Sequence, residues 1–169
     1  FTRSAINPSW LNIVTQCTFN NPEYHTLEQA AALGIGNARS LATLFNLFIN
    51  GRIVSEKTLS LIMKPVINET DYVIQMPTVK GHGFFYHKPM ADGRIFFFEK
   101  IRYKLLNVGL LQKLPLIGHS GHGCQQIIFD MERKIVIAYV TNGVKMGMYN
   151  KCRNYARLHK AVYDVIERS

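Results

Sequence analysis

Two apolar, β-branched segments near the end of the chain, residues 124 to 129 and residues 134 to 141, constrain the fold most. A short charged link, residues 130 to 133, separates them. Segments of this length and composition are typical of strands, and a short link folds consecutive strands into a hairpin. The sequence therefore predicts an antiparallel hairpin with buried faces.

A glycine-rich stretch, residues 118 to 123, leads directly into this hairpin. Glycine has no side chain that blocks a ligand or restricts φ, so such a strand lets a ligand come close to the backbone. We therefore expect this stretch to face a substrate, although Ser120 by itself would be interpreted as an ordinary turn serine. A second segment with glycines, residues 81 to 87, is predicted to be another strand.

Apolar residues at helical spacing predict three helices. The first begins after Asn37, a typical N-cap, and ends at Asn50. The second begins after Ser55 and cannot continue through Pro65, because proline lacks the N–H that a helix interior needs. The third covers residues 152 to 166 and fits against the predicted hairpin. Helices packed on an antiparallel sheet make the predicted fold class α/β.

His119, Ser120 and Gly121 match a triplet of lysine or histidine, serine or threonine, and glycine on the active-site strand of a known superfamily. Here the chain resembles the serine β-lactamase and penicillin-binding-protein superfamily, in its class C and esterase-like branch, which includes the β-lactamase-like proteins of animals. Residues 34 to 66 resemble a helix, loop and helix of that family, and residues 135 to 143 resemble the strand after the triplet. Three segments in the family's order imply a partial β-lactamase-like fold.

The resemblance also implies a role for each residue of the glycine-rich stretch. His119 takes a place often held by lysine and would supply positive potential or a hydrogen bond near the substrate. Ser120 would hydrogen-bond the substrate, Gly121 would let it approach closely, and the backbone N–H of His122 would be an oxyanion donor. The implied substrate is a small ester, amide or peptide, and no cofactor is implied. Histidine in place of lysine favours a general esterase, amidase or peptidase over a β-lactamase.

The sequence lacks the motifs that carry acylation in this superfamily. No serine is followed three residues later by lysine, and no tyrosine is followed two residues later by asparagine. A serine nucleophile needs such a base within reach of its hydroxyl. We therefore expect the chain to be the C-terminal part of a longer serine hydrolase and to be inactive by itself. A non-catalytic binding or scaffold protein of the same fold is the alternative.

The expected organisation is a single partial domain over residues 1 to 169. Residues 1 to 70 are expected to be mostly helical, and residues 71 to 94 and 115 to 169 to form the sheet and the terminal helix. Residues 95 to 114 have no counterpart in the family and are interpreted as an inserted helical excursion or as an artefact of gene prediction, such as a retained intron. Because the full family fold is larger, we also expect exposed apolar surface.

The net charge of +9 comes from 20 basic and 11 acidic side chains spread along the chain. A basic protein can bind nucleic acid, but the basic residues of the last helix lie opposite its apolar face, as on a solvated helix surface. No nucleic-acid motif accompanies them, so no nucleic-acid partner is expected. No segment reaches the apolar length of a membrane-spanning helix, and the sequence carries no signal of an oligomeric state.

The three cysteines, Cys17, Cys124 and Cys152, show no paired spacing. They indicate neither a disulfide framework nor a zinc cluster, so free thiols are expected. Free thiols favour a reducing intracellular compartment, although an upstream signal could direct the protein elsewhere. No metal site is expected at His119 and His122, because residues three apart on a strand point to opposite faces.

Overall fold

The computed structural model describes residues 18–28, 30, 34–73, 75–89, 95–96, 114–143, 145, 152–166 and 168. The chain divides into two compact units, residues 1 to 36 and residues 37 to 169. In the first unit, 3-10 helices cover Thr18–Asn20 and Pro22–Thr26. Asn21 caps the second of these helices, because its side-chain oxygen accepts a hydrogen bond from the Glu23 amide at 3.1 Å.

The second unit contains three α-helices among the described residues: α1 (Ala38–Ile49), α2 (Glu56–Ile62) and α3 (Arg153–Ile166). The first two begin where the sequence predicts. Asn37 accepts a hydrogen bond from the Ser40 amide at 2.9 Å, and Ser55 accepts one from the Thr58 amide at 3.2 Å, which satisfies amides that a helix start leaves unpaired. In the described part of the chain, no helix combines the length and the apolar character needed to cross a membrane.

The strands of the second unit form one antiparallel sheet in the order β1-β2-β3-β5-β6-β7, with β4 paired to β3. The predicted hairpin is confirmed, since β6 and β7 pair from Gln126 opposite Tyr139 to Asp130 opposite Ile135. Helices on an antiparallel sheet also confirm the α/β prediction. The strands are β1 (Ile67–Asp71), β2 (Met76–Gly81), β3 (Phe84–Pro89), β4 (Ile95–Phe96), β5 (Leu116–Gly121), β6 (Gln125–Asp130) and β7 (Ile135–Tyr139).

Helices cover both faces of the sheet. Neighbouring residues of one strand point to opposite faces, so each central strand contributes side chains to both. On β5, Leu116 packs toward α3, whereas Ile117 packs toward α1 and α2. The central strands are therefore held from both sides. The buried side chains toward α3 are Leu116, Cys124, Ile128, Ile137, Cys152, Tyr155 and Tyr163, and those toward α1 and α2 are Ile49, Leu59, Ile62, Tyr86, Ile117, Phe129 and Met131.

The outer surfaces of the helices expose apolar side chains. They include Leu44 and Leu47 on α1, Leu61 on α2, and Leu158 and Val165 on α3. This agrees with the exposed apolar surface expected from the sequence.

The strand predicted over residues 81 to 87 begins only at Phe84. The preceding residues, His82 and Gly83, have φ values of 53° and 83°. This left-handed conformation forms a tight turn rather than a strand, so Gly81 ends β2 and the turn leads into β3. Sequence alternation missed the turn because it does not report the sign of φ.

Two other segments refine the expected organisation. β1 begins at Ile67, inside the stretch expected to be mostly helical. The start of the unplaced segment, Ile95–Phe96, forms the short strand β4, which pairs with Lys88 and Pro89 of β3. Residues 97 to 113 lie outside the described residues.

The prediction of free thiols is wrong for two of the three cysteines, because Cys124 and Cys152 form a disulfide bond. Cys124 precedes β6 and Cys152 precedes α3, and packing of α3 on the sheet brings their Cα atoms within 5.7 Å. The expected reducing compartment therefore loses its basis. Cys17 lies outside the described residues.

Asp130 organises the turn between β6 and β7. Its Oδ1 atom accepts hydrogen bonds from the amides of Glu132 and Arg133 at 2.9 and 3.0 Å. Its Oδ2 atom accepts a bond from the Tyr163 hydroxyl at 3.0 Å. Burial, and then the neighbouring Asp130 carboxylate, raise the pKa of Tyr163 above its usual value. Tyr163 thus ties α3 to the hairpin as a neutral donor.

Tyr163→Phe is expected to lower the free energy of unfolding by about 1–3 kcal/mol, because it removes a donor from a buried carboxylate. The measurement is the midpoint of urea unfolding at neutral pH. Tyr72→Phe is the matched control, because Tyr72 is 86% exposed and removal of its hydroxyl leaves no buried group without a partner. Equal midpoints for both variants would contradict the assigned role of Tyr163.

Candidate active site

The glycine-rich stretch occupies the second half of β5 and the turn that follows it. On one side, β5 pairs with β6 as far as Gly121 opposite Gln125. On the other side, pairing with β3 ends at Gly118, which lies opposite Phe85. Within the described residues, no strand pairing continues on this side beyond Gly118. An extended ligand can therefore add its backbone along this edge.

His119 and His122 are both exposed at this end of β5. The His119 ring makes an edge contact with Phe85, with ring centroids 5.2 Å apart. This contact orients the imidazole beside the open edge while leaving it accessible to a ligand. Both histidines thus lie on the surface, where a ligand can reach them.

Ser120 has a different environment from the two histidines. It is buried, with 7% of its surface exposed. Directly opposite on β6 lies Gln126, which is also buried. Ser120 therefore presents much less surface to a ligand than His119 does.

The glycines of β5 are required by close packing as well as by access. A Cβ atom at position 121 would lie 3.1 Å from the Gln125 Cβ, closer than side chains normally approach. A Cβ atom at position 118 would lie 2.9 Å from the Ile128 Cα, which is backbone and cannot move aside alone. Gly118 and Gly121 thus let β5 and β6 approach each other closely at the site.

The turn after β5, which we call the 122–124 turn, comprises His122, Gly123 and Cys124. Gly123 and Cys124 have φ values of 80° and 71°. This left-handed region suits glycine but is disfavoured for residues with a Cβ atom. The turn places the His122 amide at the end of the open edge, where the sequence predicts an oxyanion donor.

Two buried histidines, His87 on β3 and His159 on α3, lie behind the site strand. Burial, and then the neighbouring His159 and His119, lower the pKa of His87 to about 3. His87 is therefore neutral at physiological pH. Among the described residues, no group of histidine, cysteine, aspartate and glutamate side chains could hold a metal ion.

Sequence reasoning missed the disulfide, and it did not separate the buried His87 from the exposed histidines. The disulfide had one usable signal, since Cys124 and Cys152 are the first residues of two elements that are predicted to pack against each other. His87 follows Tyr86 in a strand that the sequence predicts, but no spacing rule assigns a lone histidine to the core. Only the pairing of β3 with β5 places it there.

Comparison with known proteins identifies the family. The Beta-lactamase family model matches residues 7 to 161, which is most of the chain. The chain belongs to the beta-lactamase family. This beta-lactamase-family chain is also similar in fold to the crystal structure of a family VIII carboxylesterase, with a TM-score of 0.55 and 19% sequence identity. The fold and the family confirm the resemblance seen in the sequence, and the family is of the serine-hydrolase type.

The similarity to the carboxylesterase covers 76% of this beta-lactamase-family chain but only 31% of the esterase. The chain thus spans about a third of that enzyme's length. Among proteins of curated function, none matches the chain.

Proposed function

We propose that this chain supplies one wall of the active site of a serine hydrolase that acts through an acyl-enzyme. The substrate class is a small ester, amide or peptide. The nucleophilic serine and its lysine base come from outside these 169 residues, since no serine in the sequence has a lysine three positions later. The observation that carries the proposal is the open edge of β5, which ends at the His122 amide, in a chain of the beta-lactamase family.

Each part of the wall has a separate task in this proposal. The acyl chain of the substrate lies extended along the β5 edge beyond Gly118, where strand pairing with β3 has ended. The His122 N–H donates a hydrogen bond to the oxyanion that develops when the nucleophile attacks the carbonyl carbon. Gly121 keeps this edge free of a side chain. Ser120, which is largely buried, makes a smaller contact.

His119 distinguishes this site from one that holds a lysine. An imidazole can both donate and accept a hydrogen bond, whereas an ammonium only donates. Such a group suits neutral esters and amides better than substrates that carry a carboxylate beside the scissile bond. This supports a general esterase, amidase or peptidase rather than a β-lactamase.

The test compares this chain with the longer protein encoded by the full reading frame. A fluorescent fluorophosphonate is expected to label the longer protein at a serine outside these 169 residues and to leave this chain alone unlabelled. Labelling of the isolated chain that is lost in Ser120→Ala would overturn the assignment of the nucleophile. A full-length product that lacks the serine and lysine, or that is not labelled, would favour a non-catalytic binding or scaffold protein.

In the longer protein, His119→Ala is expected to lower kcat/KM for p-nitrophenyl acetate by about 10-fold or more, because it removes a polar group aimed at developing charge. The control is Arg157→Ala, which removes a positive charge from the exposed surface of α3. Equal activities for the two variants would exclude a substrate-directed role for His119.

A further inference from the structure

An exposed edge strand of the sheet carries a short sequence motif that the proposed hydrolase site does not use. The motif is Asn68-Glu69-Thr70, which lies within β1. An asparagine followed two positions later by serine or threonine, with any residue except proline between them, is an acceptor for N-linked glycosylation. Asn7-Pro8-Ser9 has the same outline, but its proline excludes it. No other asparagine in the sequence is followed two positions later by serine or threonine.

The place of the motif in the fold suits this modification. Asn68, Glu69 and Thr70 are all exposed. In the part of the chain that the structure describes, β1 pairs only with β2 and forms an edge of the sheet. A bulky, hydrophilic group on the side-chain nitrogen of Asn68 therefore projects into solvent and displaces no packed side chain.

The disulfide bond between Cys124 and Cys152 is an independent indication of the compartment that the chain enters. Disulfides form and persist in oxidising compartments such as the lumen of the secretory pathway, whereas cytosolic thiols are kept reduced. The two cysteines are only 4% and 3% exposed and belong to the core between the sheet and α3. Labile regulatory disulfides are typically strained or exposed, so this buried bond is a structural one. N-linked glycosylation is a modification of secreted proteins, and the disulfide points to the same route.

We propose that Asn68 is a site of N-linked glycosylation in a chain that passes through an oxidising secretory compartment. The co-substrate is an oligosaccharide joined through a diphosphate to a lipid. The Nδ2 atom of Asn68 forms a bond to the anomeric carbon of the first sugar and loses one proton. The bond between that carbon and the diphosphate oxygen breaks, and the lipid diphosphate leaves. Nothing is oxidised or reduced in this transfer, and it is independent of the proposed hydrolase activity.

The glycan also shields a vulnerable edge of the sheet. An edge strand presents N–H and C=O groups that can pair with another chain, and native proteins block such edges. Next to the motif, the exposed apolar side chains of Val66 and Ile67 add to this hazard. A hydrophilic glycan on Asn68 covers both features. Because β1 lies three strand positions from β5, about 14 Å at the usual spacing between strands, the candidate active site stays open.

The first measurement is peptide mapping of the longer protein, expressed from its full reading frame in cultured eukaryotic cells. Release of N-glycans by peptide N-glycosidase in H₂¹⁸O converts a glycosylated asparagine to aspartate that carries ¹⁸O. We expect this label at position 68 and a disulfide-linked pair of peptides that contains Cys124 and Cys152. Recovery of the residue-68 peptide wholly without glycan would overturn the proposal. Free thiols at both cysteines would overturn the secretory route.

The second measurement repeats the mapping on variants of the motif. Asn68→Gln and Thr70→Ala are each expected to remove the glycan from this peptide, whereas Thr70→Ser, which keeps the hydroxyl, is expected to retain it. Asn142→Gln is the matched control, because Asn142 is also exposed but is followed two positions later by Val144. Its glycan at Asn68 is expected to match the parent. A glycan that persists at Asn68 in Thr70→Ala would show that the motif does not direct the modification.

Discussion

Gly118→Ala is expected to have the largest effect of any single substitution in the sheet. The added Cβ atom would lie 2.8 Å from the Ile128 Cδ1 atom, 2.9 Å from its Cα atom and closer still to the Ile127 carbonyl oxygen. Overpacking of a core costs about 1–3 kcal/mol when side chains can yield, and here the obstacle is the backbone of β6. We therefore expect a loss of at least about 3 kcal/mol in the free energy of unfolding.

The measurement is the urea midpoint, read by the far-ultraviolet circular dichroism of the sheet and helices. Gly143→Ala is the matched control in the same unit, since the nearest atom to its added Cβ would be 3.8 Å away. We expect its midpoint to stay within experimental error of the parent. A parental midpoint for Gly118→Ala would show that β5 and β6 are not as closely packed as described.

Acidification is expected to destabilise the protein through His87. Burial, followed by His159 and His119, lowers the pKa of His87 to about 3 from the ordinary value of 6.5. Below pH 6.5 the unfolded chain binds a proton at this residue, whereas the folded protein does not until pH falls to about 3. The contribution is therefore complete above pH 6.5 and falls by about 1.4 kcal/mol for each pH unit between these two values.

The test is the slope of the unfolding free energy against pH between about pH 6 and about pH 4, a range that lies between these two pKa values. His87→Gln, which does not titrate, is expected to flatten this slope by about 1 kcal/mol per pH unit. His25→Gln is the control, because His25 is exposed on a 3-10 helix of the first unit. The role of His87 fails if both variants keep the parental slope.

Local patterns predict the helices and the hairpin because each depends on neighbours in the sequence. Asn37 and Ser55 cap helices through bonds to amides only three residues away. The apolar runs of β6 and β7 are separated by a turn whose own aspartate, Asp130, bonds to its amides. The turn at His82 and Gly83 escaped prediction because sequence alternation does not show where φ becomes positive.

The sequence names the residues of the candidate site but not their environments. The motif places His119, Ser120 and His122 on one strand and turn, yet the burial of Ser120 and the exposure of His119 depend on which strands flank β5. The disulfide depends on α3 lying against the sheet, a contact between residues 28 positions apart. Membership of the family does not by itself establish activity.

The order of the strands places the connection that includes residues 95 to 114 at the opposite end of β5 from the candidate site. β3 and β5 are antiparallel neighbours, with His87 opposite Leu116, and the stretch that includes residues 95 to 114 connects those two adjoining ends. The connection enters β5 at Leu116, whereas the His122 amide follows the opposite end of the strand, about 17 Å away for a strand of this length. Loop length affects closure entropy only weakly, so the length of this connection can change while the paired strands and the far end of β5 keep their places.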